Sequence, residues 1–304
     1  MPAISRLRAI ATLVVAASFA ASAALAAPLR LPPQKDQLFA FPGVIRTENG
    51  GDFIVIDYDK QRDIHVRDEV PEKKVQWKYV DTGVNWQQRH VDYKGGDGRT
   101  LRTVIVGAAD RPASMIVIFL HGQNGTRFLG ADDWSFGGNF NRIKNMVVKA
   151  GGLYLSPDFT DFGPKGAADV KALMLAIAAR SPGAPVFLAC GSFGGKLCWQ
   201  IADDPRAVGV LSGMLLMGTM PDEGFLSSAA MKTAGRRIPL YFGHGSDDAV
   251  FPWQDQAGFF EQIRNAVPGY PSKFVLFQTG SHGTPIRMTD WRAVINWMLT
   301  VDGY

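Results

Sequence analysis

The chain is poor in the residues that cross-link or bind metal. It has two cysteines and five histidines in 304 residues. So few cysteines exclude a disulfide-stapled scaffold of the kind that replaces a hydrophobic core. Cys190 ends one apolar run and Cys198 falls inside the amphipathic segment that follows. That spacing favours two buried free thiols over a bridge, because Cα atoms more than ~7 Å apart do not join without backbone movement. No partner stands near them at metal-ligand spacing, so no metal is expected. His121 and His244 each belong to a His-Gly pair after an apolar run and read as turn residues, while His65 and His90 read as ordinary surface or packing groups. Excess charge is lacking as well. The formal net charge of +4 is scattered, and "RDEVPEKK" (67–74) mixes both signs as a solvated loop does. Nothing here forms the basic stripe that nucleic-acid binding requires.

Long apolar runs are also missing, with one exception. "AIATLVVAASFAASAALA" (9–26) carries no charge and follows Arg6 and Arg8. A basic start, an apolar middle and the small residues Ala24 and Ala26 around Leu25 are the features of an export signal peptide cleaved near Ala26. No cysteine follows the run, so a lipid anchor is not indicated. The run is rich in alanine and serine and barely long enough to span a bilayer, so stable membrane insertion after cleavage is not expected. Removing it takes away two arginines and no acid, which halves the formal charge. The mature protein is therefore expected in the periplasm or secreted.

What the chain does contain is a change of rhythm. Residues 27–42 are proline-rich and read as an extended arm. "DFIVIDYD" (52–59) and "DIHVRDEV" (63–70) flank Lys60–Arg62 as the two arms of a hairpin would, and 75–84 reads as a further extended segment. Residues 87–108 read as two strands around Gly-Gly-Asp-Gly. From there on, short continuous apolar runs alternate with amphipathic segments. "MIVIFL" (115–120), "GLYLSP" (152–157), "PVFLAC" (185–190), "GVLSGMLLMG" (209–218), "IPLYFG" (238–243) and "KFVLFQT" (273–279) predict strands buried on both faces. Helices are predicted over 140–151, 166–180, from Gly194, over 254–267 and over 289–299. Val170, Leu173, Met174 and Ile177 mark one apolar stripe, and Trp291, Val294, Ile295 and Met298 another. Such alternation gives an α/β fold, a mostly parallel sheet with helices on both faces. Sites in these sheets lie at the carboxyl ends of the strands.

Three of those ends carry reactive side chains. Ser192 stands in "CGSFGG", Asp248 in "GHGSDDAVFP" (243–252) and His282 in "GSHGTP" (280–285). A serine hydroxyl becomes a nucleophile when a base removes its proton, and a sharp strand-to-helix turn flanked by small residues projects it from the backbone. His282 is the candidate base, and Asp248 the group that orients its ring. Asp247 stays open as an alternative acid, with Asp222 in "TMPDEG" behind it. The order serine, acid, histidine resembles the α/β-hydrolase superfamily, in particular its exported serine esterases and lipases. "LHGQNG" (120–125) resembles that family's oxyanion loop, "HGSDDAVFP" its HGxxDxxVP stretch, and Gly194 its serine turn. Cys190 departs from the pattern, where glycine is usual.

The resemblance covers roughly 86–304, so three parts are expected: a leader (1–26), a β-rich N-terminal extension (27–85) and a catalytic domain (86–304) without a large cap, since 219–237 is short. It implies backbone N–H donors at Gln123 and Phe193, no cofactor, and a small-molecule carboxylic ester as substrate. A serine peptidase, amidase or thioesterase on the same fold remains the alternative, and an inactive binding protein a further one. Phe128, Trp134 and Trp253, together with Leu129, Phe136 and Phe162, are candidates for the substrate pocket. Acyl-chain preference, oligomeric state and protein partners are not legible in the sequence.

Overall fold

The computed structural model describes residues 27–95, 98–159, 161–233 and 235–304. The expected leader and part of the Gly-Gly-Asp-Gly turn lie outside the described residues. Among the described residues there are twelve strands: β1 (Val44–Glu48), β2 (Phe53–Ile56), β3 (Asp68–Val70), β4 (Lys74–Val75), β5 (Gln88–Lys94), β6 (Thr100–Gly107), β7 (Ile116–Leu120), β8 (Leu153–Pro157), β9 (Val186–Gly191), β10 (Leu211–Met217), β11 (Leu240–Gly245) and β12 (Ser272–Phe277). Ten form one sheet in the order β1-β2-β12-β11-β10-β9-β7-β8-β6-β5, while β3 and β4 pair separately. The centre, from β8 through β7 to β12 and on to β2, is parallel. The β1–β2, β5–β6 and β6–β8 pairs are antiparallel.

The apolar runs explain this placement. β7, β8, β9, β10 and β11 are buried along their whole length, so each needs cover on both faces. Helices Pro164–Arg180, Gly194–Ala202 and Trp253–Ala266 supply one cover through Val170, Leu173, Leu197, Trp199, Phe259 and Ile263. Helices Asn139–Lys149 and Trp291–Val301 supply the other through Phe140, Ile143, Met146, Ile295 and Met298. β7 lies between β8 and β9, and the strand order runs away from it in both directions. This reversal opens a crevice at the carboxyl ends of β7 and β9.

The N-terminal segment joins the same sheet. β2 lies parallel to β12 and antiparallel to β1. The hairpin expected between 52–59 and 63–70 does not form. Residues Gln61–His65 instead make a helical turn. Asp59 accepts the Arg62 N–H (2.7 Å), Asp63 accepts the Asp59 N–H (3.0 Å), and the Arg62 guanidinium reaches Asp57 and Asp63. These local side-chain bonds satisfy backbone groups that a strand ladder would otherwise take. The stretch 75–84 is likewise irregular, with one helical turn at Trp77–Tyr79.

Downstream of that turn, Asp68 makes a buried bidentate ion pair with Arg287 (2.9 and 2.8 Å). Arg67 lies between the Phe39 and Tyr79 rings (4.6 and 4.5 Å) and donates to the Gly137 carbonyl. Burial and the neighbouring Arg287 push the Arg67 pKa down. The N-terminal segment is thereby tied to the short helix Thr284–Met288, which begins two residues after His282.

Candidate active site

Ser192 follows the last residue of β9 with φ at +52°, a left-handed conformation that side chains rarely adopt. Its N–H donates to the Met217 carbonyl (3.1 Å), and its own carbonyl accepts the Gly195 N–H (3.0 Å). Helix Gly194–Ala202 therefore starts at once and folds back over β9. Gly194 is required by this fold-back, because a Cβ there would collide with the backbone carbonyls of Leu120 and His121.

The same reversal corrects the expectation of free thiols. Cys190 and Cys198 form a disulfide, with Cα atoms 6.6 Å apart, inside the reach of a bridge. Sequence spacing alone overstated the distance, since the turn brings the second turn of the helix over the end of the strand. Both residues are fully buried.

His282 Nε2 lies 2.8 Å from Ser192 Oγ, and its Nδ1 lies 2.7 Å from Asp248 Oδ2. Three strand ends thus converge on one hydrogen-bonded line. The Asp248 side chain is fully shielded from solvent. Its Oδ1 accepts the N–H groups of Val250 (2.8 Å) and Phe251 (3.0 Å). Burial alone would raise its pKa, but the hydrogen bonds from His244, His282 and these two amides outweigh it and hold the carboxyl well below the usual range. Asp248 therefore stays charged and can fix the His282 ring with its proton on Nδ1. Asp247 is exposed and accepts from Ser246 Oγ, and Asp222 caps the turn at Gly224.

Sequence reasoning read His244 as a turn residue and did not assign it to the site. Its Nε2 is 2.9 Å from the Phe251 carbonyl and 3.3 Å from Asp248 Oδ2, and its Nδ1 is buried without a partner. Nε2 must carry a proton to meet these two oxygens, since a carbonyl and a carboxylate only accept. The signal was the i, i+4 spacing of His244 and Asp248 in "HGSDD".

The loop after β7 packs directly on the serine. A Cβ on Gly122 would fall 2.7 Å from Ser192 Cβ and 3.1 Å from its Oγ. The His121 ring stacks on Phe159 (4.2 Å), and its Nδ1 donates to the Gly122 carbonyl (2.8 Å). Burial lowers the His121 pKa, against that hydrogen bond and Asp158. Among the described residues neither the Gln123 nor the Phe193 N–H donates to another group, so both amides are free to meet a ligand.

The three pocket candidates have different surroundings. Phe128 is half exposed and covers the Arg127 guanidinium, with its ring near His90. Trp134 packs edge-on against Trp77 of the N-terminal segment (4.4 Å). Trp253 begins its helix and rests on the core. The ring in contact with His282 is that of Phe251 (5.5 Å). A cavity of about 180 Å³ is lined by Tyr58, Ile64, Glu72, Phe136, Ser281, Gly283, Thr284 and Arg287, the sequence neighbours of His282 among them but not His282 itself. Among the described residues no three His, Cys, Asp or Glu side chains are grouped to hold a metal ion, and no helix is long and apolar enough to cross a membrane.

Residues 117–303 match the alpha/beta hydrolase family. No curated protein matches the sequence. Solved structures similar to this one include a thermostable esterase at TM-score 0.56 and 16% identity, covering 71% of this chain and 64% of that one. An esterase from Pyrococcus furiosus matches at TM-score 0.53 and 16% identity, with 76% of this chain and 98% of that one covered. An alpha-beta serine hydrolase homologue from Coxiella burnetii matches at TM-score 0.50 and 18% identity, over 68% and 95%. The chain thus spans less than two thirds of the first of these proteins, and identities this low speak to the fold alone. With the strand order, the reversal at β7 and more than half the sequence in agreement, the chain belongs to the alpha/beta hydrolase family.

Proposed function

We propose that this protein is a serine hydrolase that cleaves carboxylic esters through an acyl-serine intermediate. The observation that carries the reading is the unbroken line from Ser192 Oγ through both nitrogens of His282 to a shielded, charged Asp248. Ser192 Oγ attacks the ester carbonyl carbon while its proton passes to His282 Nε2. Asp248 offsets the charge that the ring acquires. The carbonyl oxygen becomes an oxyanion beside the Gln123 and Phe193 amides; each such donor is worth about 10²–10³ in rate. The tetrahedral adduct collapses, the C–O bond to the alcohol breaks, and His282 returns its proton to the departing alkoxide. A water molecule, deprotonated by the same nitrogen, then attacks the acyl-serine. Its C–O bond to Ser192 breaks, the serine oxygen recovers the proton, and a carboxylic acid leaves.

The esterases among the similar structures support this bond type, as does the short segment between β10 and β11, whose described residues hold one 3₁₀ helix and one α-helical turn and no large cap. The same reading includes export. The leader-like start supports it, and so does the Cys190–Cys198 disulfide, since such bonds persist in oxidising compartments.

A fluorophosphonate probe should label Ser192 in the mature protein and fail on Ser192→Ala. p-Nitrophenyl esters should be turned over and aminoacyl anilides left intact. Labelling with anilide turnover alone would make the protein a peptidase or amidase. Absence of labelling would leave a binding protein.

A further inference from the structure

Four phenylalanine rings form an arc around the serine. Phe251 touches the His282 ring (5.5 Å), Phe193 touches Phe251 (5.5 Å), Phe162 touches Phe193 (5.7 Å) and Phe159 touches Phe162 (5.4 Å). The arc ends where Phe159 stacks on His121, whose Nδ1 holds the oxyanion loop. Every contact but the His121 stack is edge-on or tilted, and each of the four phenylalanines is partly exposed. They come from the loops after β8, β9 and β11, the same end of the sheet that supplies Ser192 and Asp248. Phe159 and Phe162 rest their inner sides on the core, so the open sides keep their positions without a ligand. Four partly exposed rings in contact beside one reactive centre make a continuous apolar surface of the kind that marks a binding site.

Resting on the reading of the site as a serine ester hydrolase, we infer that this arc binds an aromatic ring in the acyl part of the substrate. Ring edges and faces alternate along it, and a fifth ring continues the edge-to-face sequence. Such pairs gain more than their apolar area alone provides. The substrate class that fits is an ester of an arylalkanoic acid.

The test separates aromatic recognition from plain hydrophobicity. The p-nitrophenyl esters of 3-phenylpropanoic and 3-cyclohexylpropanoic acid share a leaving group and carbonyl reactivity, and the cyclohexyl ring is the more apolar. Area alone predicts a kcat/KM ratio of one or less. The arc predicts a ratio of about five or more in favour of phenyl, falling toward one in Phe162→Leu and Phe159→Leu, with thermal unfolding followed to show that each variant folds. A wild-type ratio of one or less, or a ratio unmoved in folded variants, overturns the inference. Fluorophosphonate labelling of the wild type is read alongside: a labelled enzyme with a ratio of one fails this inference only, and an unlabelled one fails the ester-hydrolase reading beneath it.

Discussion

Asp248→Asn keeps the size and shape of the side chain and changes its proton pattern. Oδ1 accepts two backbone N–H groups, at 2.8 and 3.0 Å. Only the amide oxygen of asparagine suits that position. The NH₂ group must then take the place of Oδ2, which lies 2.7 Å from His282 Nδ1 and 3.3 Å from His244 Nε2. His282 can meet this donor only with a bare Nδ1, so its proton moves to Nε2. That nitrogen then loses its capacity to accept from Ser192 at 2.8 Å. An amide imposing the wrong tautomer in a serine–histidine–aspartate site costs about 10⁴ in kcat, or about 5.5 kcal/mol. The assay is saturating turnover of a p-nitrophenyl ester, with urea unfolding measured on the same preparation. The opposite amide orientation would preserve the tautomer but set NH₂ against two backbone donors, at about 1–3 kcal/mol each. Turnover within tenfold of wild type, with stability lowered by that amount, would refute the reasoning. Stability should also separate the two proteins by pH. The native carboxyl titrates below its unfolded value of about 4, so the native state binds fewer protons there. Its contribution is present above pH ~4 and is lost as pH falls through the folded value. The gap between wild type and Asp248→Asn should therefore be full at neutral pH and narrow steadily below pH ~4.

Gly122→Ala sets a methyl group 2.7 Å from Ser192 Cβ, with no flexible side chain to yield. Turnover should fall about 10²-fold while the unfolding midpoint moves little, and kinetics close to wild type would show that the loop relaxes away. Asp68→Ala leaves Arg287 buried beside Arg67 without its counter-charge, which should cost about 3–5 kcal/mol in urea unfolding. A loss below 1 kcal/mol would mean that water reaches the pair. Thiol titration of the unfolded, unreduced protein should find no free cysteine. Replacing both Cys190 and Cys198 by alanine should cost about 2.5 kcal/mol, the value for a loop this short, and two titratable thiols in the starting protein would contradict the bridge.

The sequence made the central sheet legible because β7 to β12 are continuous apolar runs, and only strands buried on both faces need them. Ser192, Asp248 and His282 were legible for a related reason, since each ends such a run in a stretch of small or turn-forming residues. The N-terminal segment was not legible. Its strands are short and mixed in character, and the charges around Arg62 act through contacts that alternation cannot reveal. The disulfide was missed because counting residues along a chain does not measure a sharp turn. The ring of Trp134 meets that of Trp77, about sixty positions earlier, and no local pattern encodes that pairing. Phe251 went unnoticed because a lone phenylalanine after an acid carries no periodicity, although it is the ring against His282.

The match to the family's sequence pattern begins at residue 117, inside β7, whereas β8 hydrogen-bonds to β6 and β12 to β2, both of which precede that point. The portion recognisable by descent is therefore smaller than the portion that can stand alone. A fragment trimmed to 117–303 would present two bare rows of amide and carbonyl groups, one on each side, and those rows would pair with the nearest identical molecule. Expression of that fragment should give aggregates, and the excised first third acts as the selvedge that keeps the weave from fraying.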